Sequence, residues 1–116
     1  MPIYLQSENE DREINSVVSG RIFQTDQVMV CQLKAKRGEI IHPHSHEVDQ
    51  IPVMLKGCLD WQIEGEERRL VKAGDVMVMP AKTVHGGAVV EDAEYVDVFA
   101  PPNRDFGWDK LASSAD

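Results

Sequence analysis

Residues 38–57 read GEIIHPHSHEVDQIPVMLKG. The stretch opens on the turn Lys36-Arg37-Gly38-Glu39 and closes on Lys56-Gly57. Three of the four histidines fall inside it, in His42-Pro43-His44-Ser45-His46. Residues 51–55 follow, apolar and rich in β-favouring types. In a strand, side chains at i and i+2 share a face, so His44 and His46 can point together into an interior. Imidazole nitrogens are the commonest ligands of Zn, Fe, Ni and Cu, and amide or carboxylate oxygens complete mixed sites. Gln50 can supply such an oxygen, and His85 lies just beyond Pro80, where a returning strand would bring it opposite. The competing explanation is a solvated His-rich loop. His42 has the parity of His44 but precedes a proline, so it is expected behind the ligands or at the surface.

Outward from this stretch the chain reads as short strands with turns between them. Residues 14–18 and 20–23 suggest a hairpin-like pair, and 28–35 a strand. Leu59, Trp61 and Ile63 alternate with Asp60 and Gln62, the period of a half-buried strand. Residues 64–69 form a solvated hairpin tip, and 68–71 the return strand. Lys72-Ala73-Gly74-Asp75 is a turn, and 76–79 is a strand stopped by Pro80. Residues 83–90 and 95–99 supply the last two strands. Residues 3–5 are either a short edge strand or a frayed end. The tail from Pro101 is extended or loosely helical at most. No segment sustains a helical period over ten residues, so the chain is predicted to be an all-β sandwich or barrel.

The 116 residues, 42% of them apolar, suffice for one core and one domain, residues 1–116. A net charge of −8 argues against nucleic acid and against anionic membranes. No apolar stretch approaches the roughly 20 residues that span a bilayer. The start, MPIYLQSENEDRE, does not read as a signal peptide, and the default expectation is a reduced cytoplasmic compartment. Cys31 reads as a buried small apolar residue. Cys58, after Gly57, is expected in a turn and partly exposed. A disulfide between the two is the weaker alternative. Met29, Met54, Met77 and Met79 read as barrel wall or core, Trp61 as core, and Trp108 as a cap on the barrel or a dimer contact.

The motifs resemble those of the cupin superfamily. Its first motif, G-x5-H-x-H-x3,4-E-x6-G, is met by Gly38, His44, His46, Gln50 and Gly57, with glutamine in place of the usual glutamate. Its second, G-x5-P-x-G-x2-H-x3-N, is met by Gly74, Pro80 and His85. Lys82 stands in place of its glycine and Val89 in place of its asparagine. The motifs cover 38–57 and 74–89. The resemblance implies a jelly-roll β-barrel holding one divalent transition metal ion (Zn, Ni, Mn or Fe) through His44, His46, Gln50 and His85. It also implies a homodimer, often one that trades N-terminal strands.

With Gln50 as the fourth ligand, no protein anion touches the ion, which keeps its full double charge. That favours polarising an anionic oxygen substrate over the two-histidine, one-carboxylate oxygenase chemistry. Tyr95, Asp97 and Phe99 share a strand face by alternation, and Arg104 follows shortly after. Asp97 suits general acid/base work. Arg104 suits a carboxylate clamp. Phe99 suits an apolar wall under a sugar ring, with Tyr95 beside it. The competing reading is a salt-bridged Asp97, a core Phe99 and a solvated Arg104. The ending Asp-x-Phe-x-Pro-Pro resembles that of the pectin-degradation cupins, which convert ring-form 4,5-unsaturated uronates to linear keto forms. Asp97 and Phe99 match that family directly. Arg104 is shifted by one, because Asn103 holds the usual arginine position, and Pro52 stands where that family has a polar residue. The expectation is a metal-dependent sugar-acid enzyme with a small, anionic substrate. An iron-dependent cupin dioxygenase and a non-catalytic small-ligand-binding cupin are the alternatives.

Overall fold

The computed structural model describes residues 3–106. Its strands are β1 (Arg12–Glu13), β2 (Val18–Gln24), β3 (Met29–Ala35), β4 (Ile40–His44), β5 (Asp49–Ile63), β6 (Arg69–Lys72) and β7 (His85–Ala100). A 3-10 turn at Gln6–Glu8 is the sole helical element among the described residues. The strand order is β1-β2-β3-β7-β5-β6, with β4 added to β7.

The long strands β5 and β7 form a spine, paired antiparallel from Asp49↔Ala100 to Ile63↔His85. Beside the start of β5, β3 covers the other edge of β7 and residues 75–79 cover the other edge of β5. Beside the end of β5, the same two edges are covered by β4 and β6. The spine bends between these halves, where its register slips between Met54 and Leu59. Gly57 makes the bend possible. It sits at φ +83, and a Cβ there would run into the carbonyl oxygen of Asp92. One ladder therefore supplies both sheets of an all-β jelly-roll barrel.

Strict alternation turns one set of side chains inward. Ile22, Met29, Cys31, Leu33, Met54, Leu59 and Phe99 are buried in a single core. Full burial of a large apolar side chain contributes about 1.5–3 kcal/mol, so this core is what holds the two sheets together. Met77 and Met79 are buried in the wall, as the sequence predicts.

Several elements depart from the sequence expectations. Residues 51–55 and 59–63 are one strand, as are 83–90 and 95–99 apart from its first two positions, because Gly57 and the exposed residues 90–92 bend the ladder without ending it. The hairpin expected at 14–23 is a turn leading into β2. Asn15 Oδ1 accepts the N–H groups of Val17 (2.8 Å) and Val18 (2.9 Å), which draws the chain out of strand geometry. Residues 76–79 lie on β5 through bridges at Val53↔Val76 and Gln50↔Met79. Residues 3–5 add no strand; Tyr4 packs edge-on against Phe23, with ring centroids 5.0 Å apart. Cys58 is buried within β5, not exposed in a turn, and both thiols are free. Trp108 lies outside the described residues.

Candidate metal centre

Four buried polar or charged residues stand out among the described residues: Gln50, His85, Asp97 and Asn103. All four gather at one end of the barrel. The β4–β7 register sets His44 opposite His85. The β5–β7 register sets Gln50 opposite Phe99 and Pro52 opposite Asp97. Gln50 Nε2 donates to Asp97 Oδ2 at 3.0 Å. Ligand atoms of His44, His46 and His85 all lie within 4.8 Å of one another.

The approach of β4 depends on Gly86, the residue after His85. A Cβ at Gly86 would lie 2.7 Å from the Ile41 carbonyl oxygen and 2.9 Å from the Pro43 nitrogen. A glycine here lets the two backbones close and brings His44 against His85.

The sequence places His44 and His46 on one strand face, but β4 ends at His44 and His46 lies in the connection to β5. His46 is drawn inward by tethers. Its carbonyl accepts the Lys82 N–H at 2.6 Å, and Asp49 Oδ1 accepts the Ala81 N–H at 2.9 Å. Lys82 stands where the second motif has glycine, and it adopts the conformation glycine favours, at φ +68. On the ring itself, the Asn103 amide nitrogen lies 3.0 Å from His46 Nδ1.

The other two rings are oriented by main-chain carbonyls. His44 Nδ1 lies 2.7 Å from the His42 oxygen, and His85 Nδ1 lies 3.0 Å from the Thr83 oxygen. A carbonyl only accepts, so each of these Nδ1 atoms carries the ring proton and each Nε2 keeps its lone pair. His42 thus serves the site through its backbone.

Burial holds His46 down at about 4, helped by the neighbouring His44 and His85, and lowers His85 as well. These two imidazoles are neutral at pH 7, the form that ligates. Burial pushes Asp97 up to about 7, against the opposing hydrogen bond from Gln50. Burial also raises the Cys31 thiol and the Tyr95 phenol, with Asp97 adding to both. Four polar atoms here are buried with no hydrogen-bond partner: the acceptors His85 Nε2, Gln50 Oε1 and Asp97 Oδ1, and the indole donor Trp61 Nε1. Orphaned acceptors are costly unless something binds them. A cation coordinated by the imidazoles would satisfy the first. His44, His46 and His85 therefore form a group that can hold a metal ion, and the donor set fits one.

The centre opens into a cavity of about 410 Å³. His42, Trp61, Met77, Tyr95, Asp97 and Phe106 are among its lining residues. Trp61 lies nearly parallel to His85, 29° between planes and 5.9 Å between centroids. Phe99 is placed differently from the wall expected of it. It is fully buried and backs His46 edge-on at 5.5 Å, while Phe106 packs against it at a tilt, 5.5 Å between centroids, and lines the cavity in its place. Arg104 is exposed and is not among the described residues lining the cavity. A larger groove of about 540 Å³, near Lys34, Lys36, Lys56 and Asp92, brings no such orphaned polar atoms together. Neither motif spacing nor strand alternation reaches Asn103 and Phe106; the signal the sequence holds for them is an asparagine after Pro101-Pro102, which favours a tight turn.

A cupin-domain family model matches residues 29–99. No curated protein matches the sequence. Among solved structures, KdgF from Halomonas sp. superposes with a TM-score of 0.81 at 30% identity, over 89% of this chain and 97% of that one. An RmlC-like cupin from Shewanella frigidimarina NCIMB 400 gives 0.81 at 18% identity, over 89% and 93%. Oxalate decarboxylase from Bacillus subtilis, a protein with Mn(II) centres, gives 0.71 at 20% identity, over 84% of this chain and 29% of its own. The last two likenesses are of fold alone. The family match runs from Met29 to Phe99 and takes in the whole histidine group, so this chain belongs to the cupin family.

Proposed function

We propose that this cupin is a metal-dependent enzyme that opens ring-form 4,5-unsaturated uronates to linear keto acids. The observation that carries this reading is the Gln50 amide. Its nitrogen holds Asp97, and its oxygen is buried beside the histidines without a partner. Gln50 then completes the ligand set with His44, His46 and His85, and no ligand is anionic. When bound, the ion supplies a Lewis acid of undiminished double charge for an anionic oxygen.

Ring opening is an isomerisation. The anomeric hydroxyl gives up a proton as the ring C–O bond breaks to an aldehyde, and C4 takes up a proton as the ketone forms. Asp97 is the proton carrier. It lines the cavity, Gln50 fixes it through Oδ2, and Oδ1 is left for substrate. Such general acid/base help is worth about 10²–10⁴-fold. Tyr95 and Phe106 shape the wall against which the sugar ring rests, and Arg104 meets the substrate carboxylate outside the described cavity. The 30% identity to KdgF over nearly the whole of both chains supports the assignment. The test is to mix the metal-loaded protein with unsaturated galacturonate and follow the double-bond absorbance. Loss of absorbance above the buffer rate is expected. A rate equal to buffer overturns the activity.

The working unit is a homodimer. Across the outer sheet, Phe23, Val30, Val98 and Ile51 stand in register, and Arg21, Gln32, Val96, Val53 and Val76 form the next row. The rows themselves carry no acidic side chain, in a chain with 20 acidic residues, and the adjoining Asp11 is paired with Arg21 at 3.2 Å, so two copies can meet there with little repulsion. Light scattering should give a dimer mass, reduced to a monomer by Val78→Glu on the same face. A monomeric parent protein contradicts the pairing.

A further inference from the structure

We infer that Asn103 is a positioning residue that decides whether His46 can bind the ion, and that couples this choice to Phe106 on the cavity wall. The inference rests on the metal-site reading above. Asn103 is only 4% exposed, and it follows the last strand. Its side-chain nitrogen lies 3.0 Å from His46 Nδ1. Its side-chain oxygen accepts the Asp105 N–H at 3.1 Å. Its carbonyl accepts the Phe106 N–H at 3.3 Å, and Phe106 lines the cavity.

The three histidines are not held alike. His44 and His85 face carbonyls, which fix the proton on Nδ1 and leave Nε2 open. His46 faces an amide, which can present either a donor or an acceptor. With the nitrogen presented, as here, Nδ1 accepts and the ring proton sits on Nε2, blocking the lone pair. With the oxygen presented, the proton moves to Nδ1 and Nε2 is free. The ring stays neutral in both states, and only the tautomer changes. Turning the amide withdraws the oxygen from the Asp105 N–H, so the turn that carries Phe106 loses one of its two bonds to Asn103 and loosens. Loading of the centre and the shape of the cavity are thereby linked through one side chain.

The experiment uses the full chain, purified without nickel resin and stripped with chelator. Nitrogen-15 NMR reads the histidine tautomers before and after adding Zn(II). Competition with a chelating dye reads Zn(II) affinity, and Co(II) absorption reads ligand geometry. In the parent protein, His46 should change from the Nε2–H to the Nδ1–H form on loading, while His44 and His85 stay Nδ1–H. Asn103→Asp offers acceptors only, so its His46 should be Nδ1–H before loading and its Zn(II) affinity should equal or exceed the parent's. Asn103→Ala should lose about 10–100-fold in affinity, the range for outer-shell partners of a ligand, with an altered Co(II) spectrum. A His46 tautomer unchanged on loading, or Asn103→Ala binding both ions as the parent does, overturns the inference while the metal site stands. A parent protein that binds neither ion overturns the metal site itself, and this inference with it.

Discussion

The two sides of the candidate metal centre are built by different means. Gln50 and His85 belong to the long strands β5 and β7, and both are buried. His44 ends the short, largely exposed strand β4, and His46 lies in the connection after it. The spine side is set by a ladder running the full length of β5, so Gln50 and His85 are held by the core. The edge side is set by single tethers, at His42, Lys82 and Asn103. Rigidity in such a site comes from the element beneath a ligand more than from the ligand itself.

Removing a spine ligand should do the most damage. His85→Ala is expected to lower Zn(II) affinity by more than about 100-fold, beyond what loss of an outer-shell partner causes. Dye competition checks it. Affinity within tenfold of the parent would mean that the edge histidines suffice. Gly86→Ala should break the contact between the sides. The new methyl meets the Ile41 carbonyl and pushes β4 away, at about 1–3 kcal/mol of stability. Zn(II) affinity should fall together with the melting temperature.

Metal-free stability against pH separates the two sides further. The folded chain keeps a proton on Asp97 up to about 7, whereas the unfolded chain loses it near 3.8. Asp97 therefore makes stability fall as pH rises through that window. His46 acts oppositely. Unfolded, it holds a proton up to 6.5; folded, it loses it near 4, so its contribution rises with pH between those values. His85, also lowered by burial, acts in the same sense as His46, so Asp97 offsets only part of the rise in the parent, and Asp97→Asn should steepen it from pH 4.5 to 6.5. Thermal melts in chelator test this, and a flat profile in the variant would contradict it. The smallest effect belongs to Lys82→Gly, which relieves a left-handed residue on the edge side. About 0.5–1 kcal/mol of stabilisation is expected by denaturant titration.

The fold was legible in sequence because period-two alternation and turn glycines are local signals. Residues 28–35 contain β3, and 68–71 overlaps β6 with a shift of one residue. The continuity of β5 and β7 was not legible. Gly57 and the mostly acidic stretch Glu91-Asp92-Ala93-Glu94 look like turns, and only pairing across more than twenty residues of sequence keeps the ladder intact. The histidine group was legible because its spacing is a motif. The depth of Phe99 was not, since strand alternation tells which face a residue occupies but not what lies over it. Asn103 stayed out of the site for a similar reason: its partner His46 is 57 positions away.

One feature of the barrel wall bears on which ion can reside there. Met77 is buried and lines the same chamber as the histidines. A thioether becomes a polar sulfoxide when oxidised. An ion that traded electrons with dioxygen would generate oxidants against the Met77 thioether and erode the chamber that shelters it. Such a lining is durable around an ion that holds a single oxidation state.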